Sequence, residues 1–247
     1  MNSGPVSAEI PIITLDGPSG VGKGTICLLV ARATGWHILD SGSLYRLVGL
    51  LAERRGLDLE HPIGAETVSQ LTDISENLDV NYSERSGQLS IQLEGEEVGE
   101  LIRNEAVGAL ASKVAAVPEV RAALLARQRA FAQPPGLVAD GRDMGSAVFP
   151  EAGVKIFLTA SAEERAKRRY KQLIEKGTDA NLAALVADLR ERDERDMKRT
   201  ASPLMAAVDA RIIDTTEMSI DAVANEVMEQ LGKRYDFSWR SSGGVCM

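Results

Sequence analysis

Five short apolar runs constrain this chain more than anything else in it: IPIITLD (10–16), WHILD (36–40), GLVAD (136–140), VKIFLTA (154–160) and ARIIDTT (210–216). Runs of this length without polar alternation read as strands buried on both faces, the pattern of parallel strands whose sheet is covered by helices. Helical stretches separate most of them, so the expected fold class is α/β, a doubly wound parallel five-stranded sheet. With 247 residues, there is room for one such domain and an appended lobe.

The alternation breaks between Leu78 and Leu93. There LDVNY and LSIQL alternate around the turn-like SERSG, the signature of an antiparallel hairpin with one solvated face. Residues 72–108 are read as a small inserted β lobe, an edge hairpin of the main sheet being the alternative. Helices are expected over EAVGALASKVAAV, EVRAALLARQRAF, SAEERAKRRYKQLIEKG and NLAALVADLRERDERDMKR, and a last one from near Ser219 to Gly232. The main domain thus covers 1–231, with 232–247 and the first eight residues as loose tails.

No apolar run has the length of a membrane span, and no basic and apolar leader opens the chain. Its two cysteines, Cys27 and Cys246, suit a reducing compartment, so a cytoplasmic location is expected. Lys and Arg total 28 against 36 Asp and Glu, a net charge of −8. That balance argues against a nucleic-acid surface and requires any anionic ligand to be met by a local cluster of arginines.

Such a ligand is indicated at GPSGVGKGT. Gly17, Pro18, Ser19, Gly20, Val21, Gly22, Lys23, Gly24 and Thr25 nearly spell the phosphate-binding loop, in which backbone N–H groups and a helix N-terminus cradle phosphates and the lysine bridges them. The strand before it and the helix after it supply the required context. The departure is Gly24, where the hydroxyl that ordinarily touches Mg²⁺ is missing. The metal of Mg-ATP is therefore expected on nucleotide phosphates and water, with Asp40 or Asp140 behind the water.

Lysine, glycine, threonine in that order resembles the nucleoside monophosphate kinases. Together, DGPSGVGKGT, LDSGSLYR, ALLARQRAF, ADGRDMGSAVFP and ERDERD resemble the bacterial cytidylate kinases over about residues 10–231. The resemblance implies a P-loop kinase fold with a helical lid over 161–178. It also implies transfer of the ATP γ-phosphoryl to CMP, and to dCMP, by a monomer, with no nucleic acid or membrane partner.

Phosphoryl transfer between two anions needs positive charge around them, and arginine binds phosphate through two parallel hydrogen bonds. A phosphate acceptor is already ionised near neutral pH and needs no general base. Arg46 and Arg142 are placed to hold it, and Arg192, Asp196 and Arg199 share one helix face at i, i+4, i+7. By resemblance, Arg46, Arg142 and Arg199 contact the CMP phosphate, Arg192 and Asp196 the ribose. Lys23, Arg142 and Arg199 are then the catalytic cations, and Arg165, Arg168 and Arg169 the cations of the lid. Asp143 matches the family's cytosine-reading carboxylate, which accepts from the N4 amino group and repels the uracil carbonyl. Ser112 and Arg121 match its other base contacts, and Ser41 lies in the acceptor-side loop.

Other readings remain. A GTP-binding switch would need Asp-x-x-Gly and Asn-Lys-x-Asp, and neither occurs. A kinase for UMP, AMP or a hydroxyl-bearing metabolite keeps the loop but changes the acceptor side. A nucleotide-binding scaffold without catalysis would be expected to lack Lys23 or the arginines, which are present.

Overall fold

A computed structural model of the chain describes residues 10–235 apart from 61, 86–87 and 176. The expected N-terminal tail, residues 236–247 of the C-terminal one, Cys246, and residues 86–87 of the SERSG turn lie outside the described residues. In chain order the elements are β1 (Ile12–Asp16), α1 (Lys23–Thr34), β2 (His37–Asp40), α2 (Ser41–Arg54), α3 (Ala65–Glu76), β3 (Val80–Arg85), β4 (Gln88–Leu93), β5 (Glu96–Glu97), α4 (Glu105–Val114), α5 (Pro118–Arg129), β6 (Leu137–Asp140), β7 (Val154–Thr159), α6 (Ala162–Glu175), α7 (Leu182–Lys198), β8 (Arg211–Asp214) and α8 (Ile220–Arg234). A 3₁₀ turn spans Leu101–Arg103 and a π-helical turn Met144–Val148.

All five apolar runs form strands of one sheet, in the order β2-β6-β1-β7-β8. β1 pairs in parallel with β6, Leu15 beside Asp140, and with β7, Asp16 beside Phe157. The crossover on either side of β1 places the loop after it and the loop after β6 at the same carboxyl edge, where doubly wound sheets bind ligands. The hairpin expectation also holds, with a third strand added: β3, β4 and β5 form a separate antiparallel sheet, so the edge-hairpin alternative is set aside.

The chain packs as two compact units. One comprises residues 1–39, 129–186 and 205–247; the other comprises 40–128 and 187–204. The antiparallel sheet falls within the 72–108 stretch, and the unit that holds it extends further on both sides.

In the first unit Ile13, Leu15, Val30, Val138, Ile156, Leu158, Val227 and Leu231 close a core around the sheet, each such side chain contributing about 1.5–3 kcal/mol on burial. Gly17 follows β1 at φ +140°, and a Cβ there would stand 2.0 Å from the Leu158 carbonyl oxygen, so only glycine lets the loop leave the strand. Helix α8 passes the expected stop at Gly232 and ends at Arg234. Tyr235 anchors that end, its hydroxyl accepting from Ile12 N–H at 3.2 Å and its ring meeting Trp36 edge-on at 5.5 Å. In the second unit α2 and α4 approach closely at Gly49, where a Cβ would come within 2.9 Å of Leu110 Cβ.

Candidate functional site

In the first unit, β1 delivers the glycine loop to the N-terminus of α1, whose unsatisfied N–H groups and dipole favour an anion. Lys23 is the first residue of that helix and is buried. Its ammonium donates to the carbonyls of Gly17 (2.9 Å) and Pro18 (2.8 Å) and lies 4.0 Å from Asp140. Burial pushes its pKa down to about 8, and the Arg142 guanidinium adds to the depression while Asp140 and Asp16 oppose it. Two cations held close enough to disfavour each other mark a place suited to an anion.

β6 ends at Asp140, and Arg142 and Asp143 follow directly. Asp143 is 2% exposed and sits at the N-cap of the π-helical turn, yet its side chain caps none of that turn's N–H groups. Asp16 does so instead: its two carboxylate oxygens accept from Met144 N–H and Gly145 N–H, both at 2.8 Å. Burial raises the Asp16 pKa to about 6, against the two backbone hydrogen bonds that lower it; nearby Asp143 raises it further and Lys23 lowers it.

The α6 arginines are tied to this unit's framework. Arg165 is 3% exposed and donates to the Ala160 (3.1 Å) and Ser19 (3.0 Å) carbonyls, so it supports the glycine loop from beneath. Arg168 donates to the Thr215 carbonyl at 2.6 Å. Arg169, further out, donates to Gln172 at 3.4 Å. Among the three arginines expected in the lid, Arg165 is bonded to the glycine loop.

The second unit gathers the remaining expected residues. Asp40 accepts from Ser43 N–H at 3.2 Å and caps α2, so it is already engaged structurally. Ser41 is buried and donates to Gln128 Oε1 at 3.0 Å. Arg46 donates to the Ile102 (2.5 Å) and Asn104 (3.1 Å) carbonyls. A Cβ on Gly108 would meet the guanidinium nitrogens of Arg46 at 3.1 Å and of Arg192 at 3.3 Å, so this helical glycine leaves space in which two cations converge. Arg121 stacks over Tyr45 at 5.7 Å. Ser112 is 3% exposed, and its hydroxyl has no hydrogen-bond partner among the described residues. On α7, Asp196 (4%) and Arg199 (8%) are buried while Met197 between them is 55% exposed, which contradicts a purely solvated charge run.

Asp16, Gly108, Gln128 and Arg129 were not legible as functional candidates. The signals were faint: an acid closing an otherwise apolar strand, and a glycine inside a helix, which costs about 1 kcal/mol relative to alanine.

The donor set fits Mg²⁺ held chiefly by a nucleotide. Among the described residues no group of three His, Cys, Asp or Glu could hold a metal. Asp140 faces the loop, its Oδ2 3.8 Å from where a Gly24 Cβ would stand, whereas both oxygens of Asp16 are taken by Met144 and Gly145 N–H. Mg²⁺ keeps several waters and commonly uses one or two carboxylates plus substrate phosphates. No helix among the described residues is long and apolar enough to cross a membrane.

A sequence profile of cytidylate kinase matches residues 13–233. The cytidylate kinase of Aeromonas salmonicida (strain A449) is 54% identical over 226 residues, covering 90% of this chain and 96% of that protein. Those of Stutzerimonas stutzeri (strain A1501), 53% identical over 227 residues, and Klebsiella pneumoniae (strain 342), 50% over 224, each cover 91% of this chain and 96% of their own.

Proposed function

The chain belongs to the cytidylate kinase family, and on that premise we propose that it transfers the γ-phosphoryl of ATP to the 5′-phosphate of CMP, and of dCMP, giving ADP and the nucleoside diphosphate. The observation that carries this reading is Lys23, in the glycine loop after β1, standing 4.0 Å from Asp140 at the end of the adjacent parallel strand β6, two residues before Arg142. The loop amides and Lys23 bind the β- and γ-phosphates of the donor. Arg142, Arg46 and Arg199 hold the acceptor phosphate, and their charge offsets the negative charge that builds as the two anions meet. Arg192 and Asp196 take the ribose.

Asp143 accepts from the cytosine N4 amino group, and Ser112 and Arg121 donate to its ring acceptors; Ser41, oriented by Gln128, lines the acceptor side. Each such base contact discriminates by about 1–3 kcal/mol. The unpartnered Ser112 hydroxyl supports this, because a buried hydroxyl without a partner is costly unless a ligand supplies one. Asp140, through water, is the residue that would steady Mg²⁺, which screens the transferring phosphate oxygens when bound. No residue need act as a general base, since the acceptor is already ionised.

Incubation with Mg-ATP and CMP, followed by phosphorus NMR, should show ADP and CDP rising in equal amounts; ADP formed without CDP would contradict the transfer. The pH dependence carries a second expectation. In the free protein Lys23 loses its proton near pH 8, so kcat/KM for ATP should fall as pH rises past about 8. In kcat the same limb should lie higher, because bound phosphates favour the ammonium. A kcat/KM profile flat to pH 9.5 would remove Lys23 from the donor site.

A further inference from the structure

We infer that Asp16 is a positioning residue for base selection: by capping the Met144–Val148 turn from β1, it fixes the backbone that carries Asp143. This rests on the assignment of Asp143 to the cytosine edge.

An aspartate at an N-cap ordinarily turns its own side chain onto the N–H groups of the first turn. Asp143 occupies that position: its carbonyl accepts from Ala147 N–H at 2.9 Å and Val148 N–H at 3.2 Å. Its side chain nevertheless makes no capping bond. The two N–H groups at the start of the turn are taken by Asp16, one per carboxylate oxygen, each at 2.8 Å. Asp16 lies 127 positions before Asp143 by their numbers and closes β1, the strand that feeds the glycine loop. A carboxylate 5% exposed is expensive unless its hydrogen bonds are made, and here both oxygens are committed to the same backbone segment.

The far end of that segment is held as well. Arg129, the last residue of α5, donates through Nε to the Val148 carbonyl (3.0 Å) and through a terminal nitrogen to the Ala147 carbonyl (3.3 Å). Those carbonyls belong to the end of the turn, where intrahelical partners run out. An acid therefore fixes the N–H end and a base the carbonyl end, and Asp143 is held at the junction with β6. Loss of the Asp16 bonds would leave two buried N–H groups unpaired directly after Asp143, and the backbone that carries Asp143 would shift to pair them.

The test is the ratio of kcat/KM for CMP to kcat/KM for UMP, measured on one preparation of each variant so that any loss of folded protein cancels. Asp143→Ala should cut the wild-type ratio by about 10- to 100-fold. Asp16→Asn keeps one acceptor but sets an amide donor against the second N–H; its ratio should fall about fivefold or more, with KM for CMP rising more than KM for ATP. Arg129→Gln should lower the ratio in the same direction and Arg129→Lys should restore part of it, which keeps the test decisive if Asp16→Asn does not fold. Wild-type ratios in both Asp16→Asn and Arg129→Gln, with the ratio lost in Asp143→Ala, would overturn the positioning role and leave base reading intact. An unchanged ratio in Asp143→Ala would remove the premise, and this inference with it.

Discussion

Lys23→Met should lower kcat by about 10²- to 10³-fold, the loss seen when one preorganised donor to a developing charge is removed. The fold should not suffer with it. A lysine whose folded pKa is depressed, here from 10.5 to about 8, contributes stability above its unfolded pKa, and that stability is lost as pH falls through the folded value. At pH 7 the native state therefore carries the cost of a buried ammonium, about 3 kcal/mol, offset in part by the bonds to Gly17 and Pro18. Methionine removes the charge and keeps the stem's packing, so thermal unfolding at pH 7 should show Tm at or above wild type. Turnover above a tenth of wild type would exclude Lys23 from the transfer step, and a collapsed Tm would show that its burial stabilises the loop.

Arg142→Gln should reduce kcat/KM for CMP by about 10²- to 10³-fold, because glutamine keeps a hydrogen bond but loses the charge and the paired donors that match a phosphate. The same substitution should be visible on the donor side. Arg142 is the largest electrostatic contributor to the depressed Lys23 pKa, so its removal should shift the alkaline limb of kcat/KM for ATP to higher pH. Loss of CMP turnover with no movement of that limb would mean that the two cations do not share one field.

The sheet was legible because parallel strands buried on both faces leave nearly unbroken apolar runs, and all five did so. The hairpin was legible from its alternation, but its third strand, Glu96–Glu97, is too short and too charged to announce itself. The end of α8 was misread at Gly232 because glycine usually stops helices; the contacts of Tyr235 with Ile12 and Trp36 lie more than 190 positions away in sequence and outweigh that preference. The candidate site divides along the same line. Lys23 and Arg142 became candidates through their local context, a glycine loop after a strand and the end of an apolar run, and Asp143 through the family resemblance of ADGRDMGSAVFP. Asp16 and Arg129 act through main-chain groups remote in the chain or unmarked by side-chain type, and only coordinates bring donor and acceptor together. Arg165 carried the right charge for a ligand, but its burial against Ser19 and Ala160 depends on packing that periodicity does not encode.

Phosphorylation of a cytosine nucleotide by this chain is measured most directly as ADP release from Mg-ATP with CMP, dCMP, UMP, AMP and small hydroxyl-bearing metabolites offered separately as acceptors. CMP should give the highest kcat/KM, with UMP lower by about 10- to 100-fold, the worth of one base-edge contact, and the metabolites should release no ADP above background. A clear preference for AMP, or for an acceptor that carries no phosphate, would contradict the account.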